Sequence, residues 1–207
     1  MQKILIESAD LSTRHALDGL SPTSAVEVRL AASGQLGQLA DMANREIPGV
    51  AVTEADLVQF LRDDPESIFV FQRGGRLLGG VAFLYLNDRG FDALVLDDID
   101  LTAPRREFLA RAGEDVSAIY TWALAGHGRA VLGLGNVAAY LRKPRFIAAD
   151  HYAQPSTAAG RDLLVALGFK PTPSFQPDLW CFQRSRHIDA SPPAINTGSG
   201  ALHHGRF

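Results

Sequence analysis

Gly126-His127-Gly128 joins an apolar, strand-like run at 117–124 to a helical pattern that begins at Arg129. Unpaired backbone N–H groups and the positive end of a helix dipole meet at such a junction, which suits an anion such as a pyrophosphate. Glycine lets the backbone approach that anion closely. Two nucleotide motifs fail by count: a dinucleotide fingerprint starting at Gly126 needs a glycine at position 131, which is Val131, and the turn lacks the Gly-Lys-Ser/Thr of a phosphate loop. The competing reading is a merely tight turn whose glycines serve close packing.

Other residues with chemical capacity lie on either side of this turn. Tyr120 and Trp122 share one face of the 117–124 strand, where they line a pocket or fill a core, the commoner fate of strand aromatics. Asp98 and Asp100 fall on one side of an extended chain, with Asp97 beside them and Glu114 and Asp115 ahead of the strand. They are proton acceptors if that segment faces a site, and a solvated acidic edge if it does not. Ser156 or Thr157 also suits a helix N-cap, and Arg142-Lys143-Pro144-Arg145 suits a helix C-terminus with or without a phosphate to bind. His127 meets a phosphate or points to solvent. Cys181, in an apolar closing segment, reads as core, and His203-His204 has no further ligands nearby, so no metal site is expected.

The apolar periodicity supplies a scaffold for these groups. Residues 25–30 alternate as a strand, and Leu36, Leu39, Ala40 and Ala43 then share a helical face. After Pro48-Gly49, Thr53 and Asp56 form a capping pair for a helix ending near Asp63-Asp64-Pro65. Runs at 67–72 and 77–86 flank Arg73-Gly74-Gly75-Arg76 and predict a hairpin. Leu94-Val95-Leu96 predicts a short strand, and Thr102-Ala103-Pro104 the start of a short helix through Phe108, Leu109 and Ala112. Ala130, Leu134, Val137, Ala138 and Leu141 mark a helix ending before Pro144. Phe146-Ile147-Ala148-Ala149 then predicts a strand, 157–167 a helix stopped by Gly168, and Phe169 and 179–182 closing strands.

Composition bounds the class. The 207 residues are 46% hydrophobic and 21% charged, which fits one globular domain over 25–185 and argues against a disordered chain or a membrane protein. Residues 1–24 read as an N-terminal arm and 186–207, rich in Ser, Pro and Gly, as a flexible tail. A net charge of -3 offers no general attraction to nucleic acid. The apolar run at the N-terminus is too short for a signal peptide, and one cysteine fits a reducing compartment, so a cytoplasmic location without membrane insertion is expected.

The order strand, two helices, hairpin, strand into Gly-x-Gly, helix, strand, helix, strand pair resembles the GNAT superfamily of acyl-CoA N-acyltransferases over about residues 25–184. Ala125-Gly126-His127-Gly128-Arg129-Ala130 matches the family's Gln/Arg-x-x-Gly-x-Gly/Ala, whose amides bind the CoA pyrophosphate, and 157–169 looks like its late helix with the closing Leu167-Gly168-Phe169. The resemblance implies an α/β (α+β) fold, a central mixed, mostly antiparallel sheet flanked by helices. It also implies acetyl-CoA or another acyl-CoA as the acyl donor without a metal, and a small-molecule or peptide amine as acceptor, with a homodimer left open. Two departures bear on activity: Ala125 replaces the usual Gln or Arg, and Leu164 stands where many members place the tyrosine that protonates the leaving thiolate. Tyr152 and Ser156 are substitutes for that acid, Tyr120 is a further candidate, and Asp98 a candidate base. The alternatives are a GNAT-like domain that binds CoA without turnover, and an interaction module in which the turn is purely structural.

Overall fold

The computed structural model describes residues 25–126 and 128–184, with the side chain of Arg129 excepted. The expected arm (1–24) and tail (186–207), and His127 of the turn, lie outside the described residues. The hairpin at Arg73-Gly74-Gly75-Arg76 forms as expected, with φ of 56° at Gly74 and 79° at Gly75. Two consecutive positive φ values match the twist of the flanking strands, and glycine adopts them without strain. The turn joins β2 (Ile68–Arg73) to β3 (Arg76–Leu86).

With β1 (Glu27–Leu30), β4 (Ala118–Gly126), β5 (Asp150–Ala153), β6 (Lys170–Pro171) and β7 (Trp180–Phe182), this hairpin makes one sheet in the order β1-β2-β3-β4-β5-β7-β6. All neighbours pair antiparallel except β4 and β5, which run parallel. The mixed, mostly antiparallel sheet implied by the resemblance is thus the observed one. α1 (Leu36–Glu46) and α2 (Glu54–Asp63) cover one face of β2–β4. The Thr53–Asp56 capping box starts α2 with Asp56 N–H donating to Thr53 Oγ1 at 3.2 Å and Thr53 N–H to Asp56 Oδ2 at 2.8 Å. α4 (Leu134–Tyr140) packs on the opposite face over Phe69, Phe71, Val81, Phe83, Tyr85 and Ile119.

Three segments depart from the sequence reading. Leu94 and Val95 end a helix, α3 (Asp88–Val95), and are not a strand. Asn87 caps it by accepting from Gly90 N–H at 2.9 Å, and helical spacing brings Ala93 and Leu94 together into the core. The helix expected from Thr102 shrinks to a 3-10 turn at Arg106–Phe108. Leu109 instead bridges to Leu86 and Ala110 N–H donates to Tyr85 O at 2.8 Å, so sheet bonding along the free edge of β3 outweighs helix propensity. The strand expected at 146–149 lies later, at Asp150–Ala153. Ile147 and Ala149 N–H groups are spent locally on Pro144 O and Phe146 O, which closes the chain into turns before β5. α5 (Ala158–Ala166) follows as expected, N-capped by Thr157, whose Oγ1 accepts from Gly160 N–H at 2.9 Å.

Candidate functional site

β4 and β5 pair only from Ala118↔Asp150 to Thr121↔Ala153. Beyond Thr121, β4 continues to Gly126 while the chain after Ala153 turns away through Gln154-Pro155-Ser156 to α5. Five residues of β4, about 17 Å of strand, therefore lack a strand neighbour on that side. A β-bulge marks the point of divergence, because β3 Ala82 pairs with Ala123 while Phe83 pairs with Thr121, leaving Trp122 as the extra residue. The bulge turns Trp122 and Ala123 toward the α1–α2 face and leaves Thr121 and Leu124 on the α4–α5 face.

The gap between the strands is a cleft of about 380 Å³. One wall is the 121–126 half of β4, and the other is Ala153 through Thr157 with Ala159, Gly160, Leu163 and Leu164 of α5. No residue of α5 is fully buried, and its Leu163 and Leu164 are only half-buried. The helix thus stands off the sheet with apolar side chains facing open space. A second cavity of about 540 Å³ continues beneath α4 and α5, and Thr121, Leu124, Leu163 and Leu164 line both spaces. The two spaces therefore meet at these four side chains, and we refer to them together as the groove.

At the top of the groove, Gly128 has φ of 57° and space for a side chain on all sides, so its glycine is required by backbone conformation and not by crowding. The residues from Gly128 to Gly133 are 3-10 and α4 adds only seven more, so the helix dipole contributes less here than the sequence pattern implied. Ala125, Gly126 and Ala130 line the cleft, and Ala125 and Ala130 are buried. Gly126 N–H donates to Glu46 Oε2 at 2.9 Å, so a carboxylate already sits on one amide of the turn. Glu46 is the one carboxylate lining the cleft among the described residues. Sequence reasoning passed over it because a glutamate at a helix C-terminus before Pro48-Gly49 carries no mark of a site.

The other candidates separate. Ser156 lines the cleft and is exposed, and because Thr157 caps α5 its hydroxyl is not needed for capping. Tyr120 and Tyr152 project to the opposite face, where they are buried with α3 residues in a common core. Tyr120 donates to Gln154 Oε1 at 2.7 Å, and burial pushes its phenol well above the ordinary tyrosine range. Tyr152 packs against Phe91, at 5.6 Å between ring centroids, and does not line the cleft. Asp98 is exposed beyond α3 and lines neither space. Trp122 Nε1 donates to Leu101 O at 2.8 Å and its ring lies 4.8 Å from Phe60, so the segment between α3 and β4 closes over the far side of the bulge. Cys181 is buried, as expected of a core residue. Lys143 and Arg145 engage Glu66 and Asp64, which leaves Arg142 as the member of that basic run facing the groove.

Among the described residues no helix is long and apolar enough to cross a membrane, and no group of His, Cys, Asp and Glu is arranged to hold a metal ion. No family model matches the sequence, and no curated protein is significantly similar to it. Solved structures do match. The loading GNATL domain of CurA from Lyngbya majuscula is 11% identical with a TM-score of 0.56, the match covering 77% of this chain and 98% of that one. An N-acetyltransferase from Staphylococcus aureus Mu50 is 14% identical with a TM-score of 0.51 over 77% of this chain and 99% of its own. Ard1 from Thermoplasma volcanium is 14% identical with a TM-score of 0.50, covering 76% and 95% respectively. With the strand order and its single parallel pair, these likenesses show that the chain has the GNAT fold.

Proposed function

We propose that the chain binds an acyl-CoA thioester in the β4–β5 cleft and transfers its acyl group to an amine. The observation that carries this reading is the parting of β4 and β5 after Thr121. It leaves strand-edge N–H and C=O groups facing a space about as long as an extended arm, with apolar Leu124, Leu163 and Leu164 along it. The pyrophosphate would lie on the turn at Gly126, Gly128 and Ala130, with buried Ala125 lining the cleft beside it.

The thioester carbonyl would reach the bulge, where unpaired backbone N–H groups polarise it. The amine nitrogen attacks that carbon, the C–N bond forms and the C–S bond breaks. The amine gives up a proton to water, and the thiolate is reprotonated with Ser156 Oγ as relay. Acyl length and acceptor are set by the groove below and the surface around the bulge. A CoA-binding domain without turnover is the second reading. It is favoured by Leu164 lining the cleft where a tyrosine acid is expected, and by the closure of Leu101 over Trp122.

Thermal unfolding in the presence of CoA and acetyl-CoA tests binding. A saturable rise is expected, worth about 2.7 kcal/mol at a hundredfold excess over Kd. No rise with either ligand would sink the reading. Release of free thiol from acetyl-CoA with a panel of amines then separates a transferase from a silent binder. Glu46→Gln should strengthen CoA binding by about 3–10-fold, because the wild-type carboxylate both occupies the Gly126 amide and repels a pyrophosphate. Calorimetric titration of the two proteins reads this directly, and weaker binding by the variant would show that Glu46 supports the turn instead.

A further inference from the structure

The lower cavity ends on charge. Arg142, exposed at the C-terminal end of α4, and Arg184, half-buried after β7, both line it together with His151 of β5. Arg184 spends its guanidinium on neutral acceptors, donating to Leu141 O at 2.8 Å, Phe146 O at 3.1 Å and the His151 ring at 2.8 Å. Neither arginine has a carboxylate within ion-pair distance among the described residues. Asp150 is the nearby acid, and it accepts from the Arg184 backbone N–H at 3.0 Å. Burial, with Arg184 beside it, holds His151 down to about 4, so the ring is neutral at neutral pH. Two guanidinium groups therefore line one end of an otherwise largely apolar space, Arg184 with its N–H groups on neutral acceptors and Arg142 exposed, and neither is neutralised by an ion pair among the described residues.

We propose that this end of the groove receives the carboxylate of an acyl chain, so that the preferred thioesters are those of short dicarboxylic acids. The inference rests on the acyl-CoA reading above and names its donor class. Three observations support it. The cavity shares Thr121, Leu124, Leu163 and Leu164 with the cleft, so a chain attached at the bulge can enter without crossing the sheet. His151 pairs with Ile119, two residues below Thr121, which sets the cationic end about 7 Å along the strand from the divergence point, the reach of a short aliphatic chain. Arg142 lies on the order of 20 Å along the helix from Gly128, so this charge is separate from the turn that would take the pyrophosphate.

Calorimetric affinities of pentanoyl-CoA and glutaryl-CoA, equal in carbon number and differing in the terminal carboxylate, test the proposal with CoA as reference. Glutaryl-CoA is expected to bind at least about tenfold more tightly than pentanoyl-CoA, with the ratio falling as salt is raised. Arg142→Ala should reduce that ratio, and Arg142→Glu should invert it. Arg142 is exposed and makes no side-chain bond among the described residues, so neither change threatens the fold. Equal affinities for the two esters, or a ratio indifferent to Arg142→Glu, would overturn the carboxylate site while leaving acyl-CoA binding intact. Failure of CoA and every ester to bind would instead remove the acyl-CoA reading and this inference with it.

Discussion

Leu164→Trp is expected to weaken CoA binding by about 10–100-fold, or roughly 1.4–2.8 kcal/mol, while leaving the unfolding midpoint nearly unchanged. Leu164 lines both the cleft and the cavity beneath it, so an indole at this position fills the passage between them. The same substitution in a packed helix would be destabilising by overpacking. α5 buries none of its residues fully, however, and Leu164 is half-buried, so the ring meets open space and not a filled core. Stability should change by no more than about 0.5 kcal/mol, as for a surface site. Isothermal titration with CoA, beside a denaturant melt of the free protein, reads both quantities. Lost stability with retained binding would mean that the helix is packed down in solution and that the ligand enters elsewhere.

This division between a firm sheet and an open helix explains what the sequence disclosed. The hairpin at Gly74-Gly75, the capped helix at Thr53 and the Gly168 stop were legible because each rests on local chemistry that a few residues fix by themselves. The segment 87–115 was misread because its structure depends on remote partners: Leu109 is extended by its bridge to Leu86, and Leu94 turns inward in a helix that Asn87 caps. The strand displaced from 146–149 to Asp150–Ala153 has the same origin. Phe146 is apolar because it is buried beside Tyr85, at 4.8 Å between ring centroids, and not because it lies in a strand.

The site divides likewise. The glycine turn and Ser156 were visible from residue type and position in the element order. The bulge at Trp122, the Glu46 carboxylate on Gly126 and the cation pair of Arg142 and Arg184 come from long-range placement. Tyr120 and Tyr152 point away from the groove because strand alternation sends them to the α3 face. That parity depends on the register of β4, which no short motif declares.

Arg145→Met is expected to cost about 3–5 kcal/mol, the penalty for stranding a buried partner charge. The Arg145 side chain is 11% exposed and pairs with Asp64, itself 7% exposed, and also with Glu66 at 3.2 Å. It further donates to Glu114 O at 2.9 Å and Arg111 O at 3.1 Å, so one guanidinium ties the α2–β2 connection, the segment before β4 and the turn before β5 into one knot. The knot lies at the opposite end of the sheet from the glycine turn. A destabilised variant held below its melting point should therefore still bind CoA with wild-type affinity if the proposed cleft is correct.

Acid sensitivity provides a second readout of the same cluster. Burial alone would raise the Glu66 carboxyl, but hydrogen bonds from Tyr140, Lys143 and Arg145 outweigh it and hold the group below its ordinary range. A carboxyl depressed by folding contributes stability that is fully present above its unfolded value of 4.5 and is lost as pH falls through the folded value. Wild-type stability should accordingly fall with pH below about 4.5, and Arg145→Met, lacking one of those donors, should show a shallower fall. Adding Asp64→Leu to Arg145→Met should recover part of the loss at neutral pH, since it removes the stranded charge. Denaturant melts of the three proteins at pH 7 and across the acid range measure both effects. A double variant no more stable than Arg145→Met would locate the cost in the Arg111 and Glu114 carbonyls that Arg145 also satisfies.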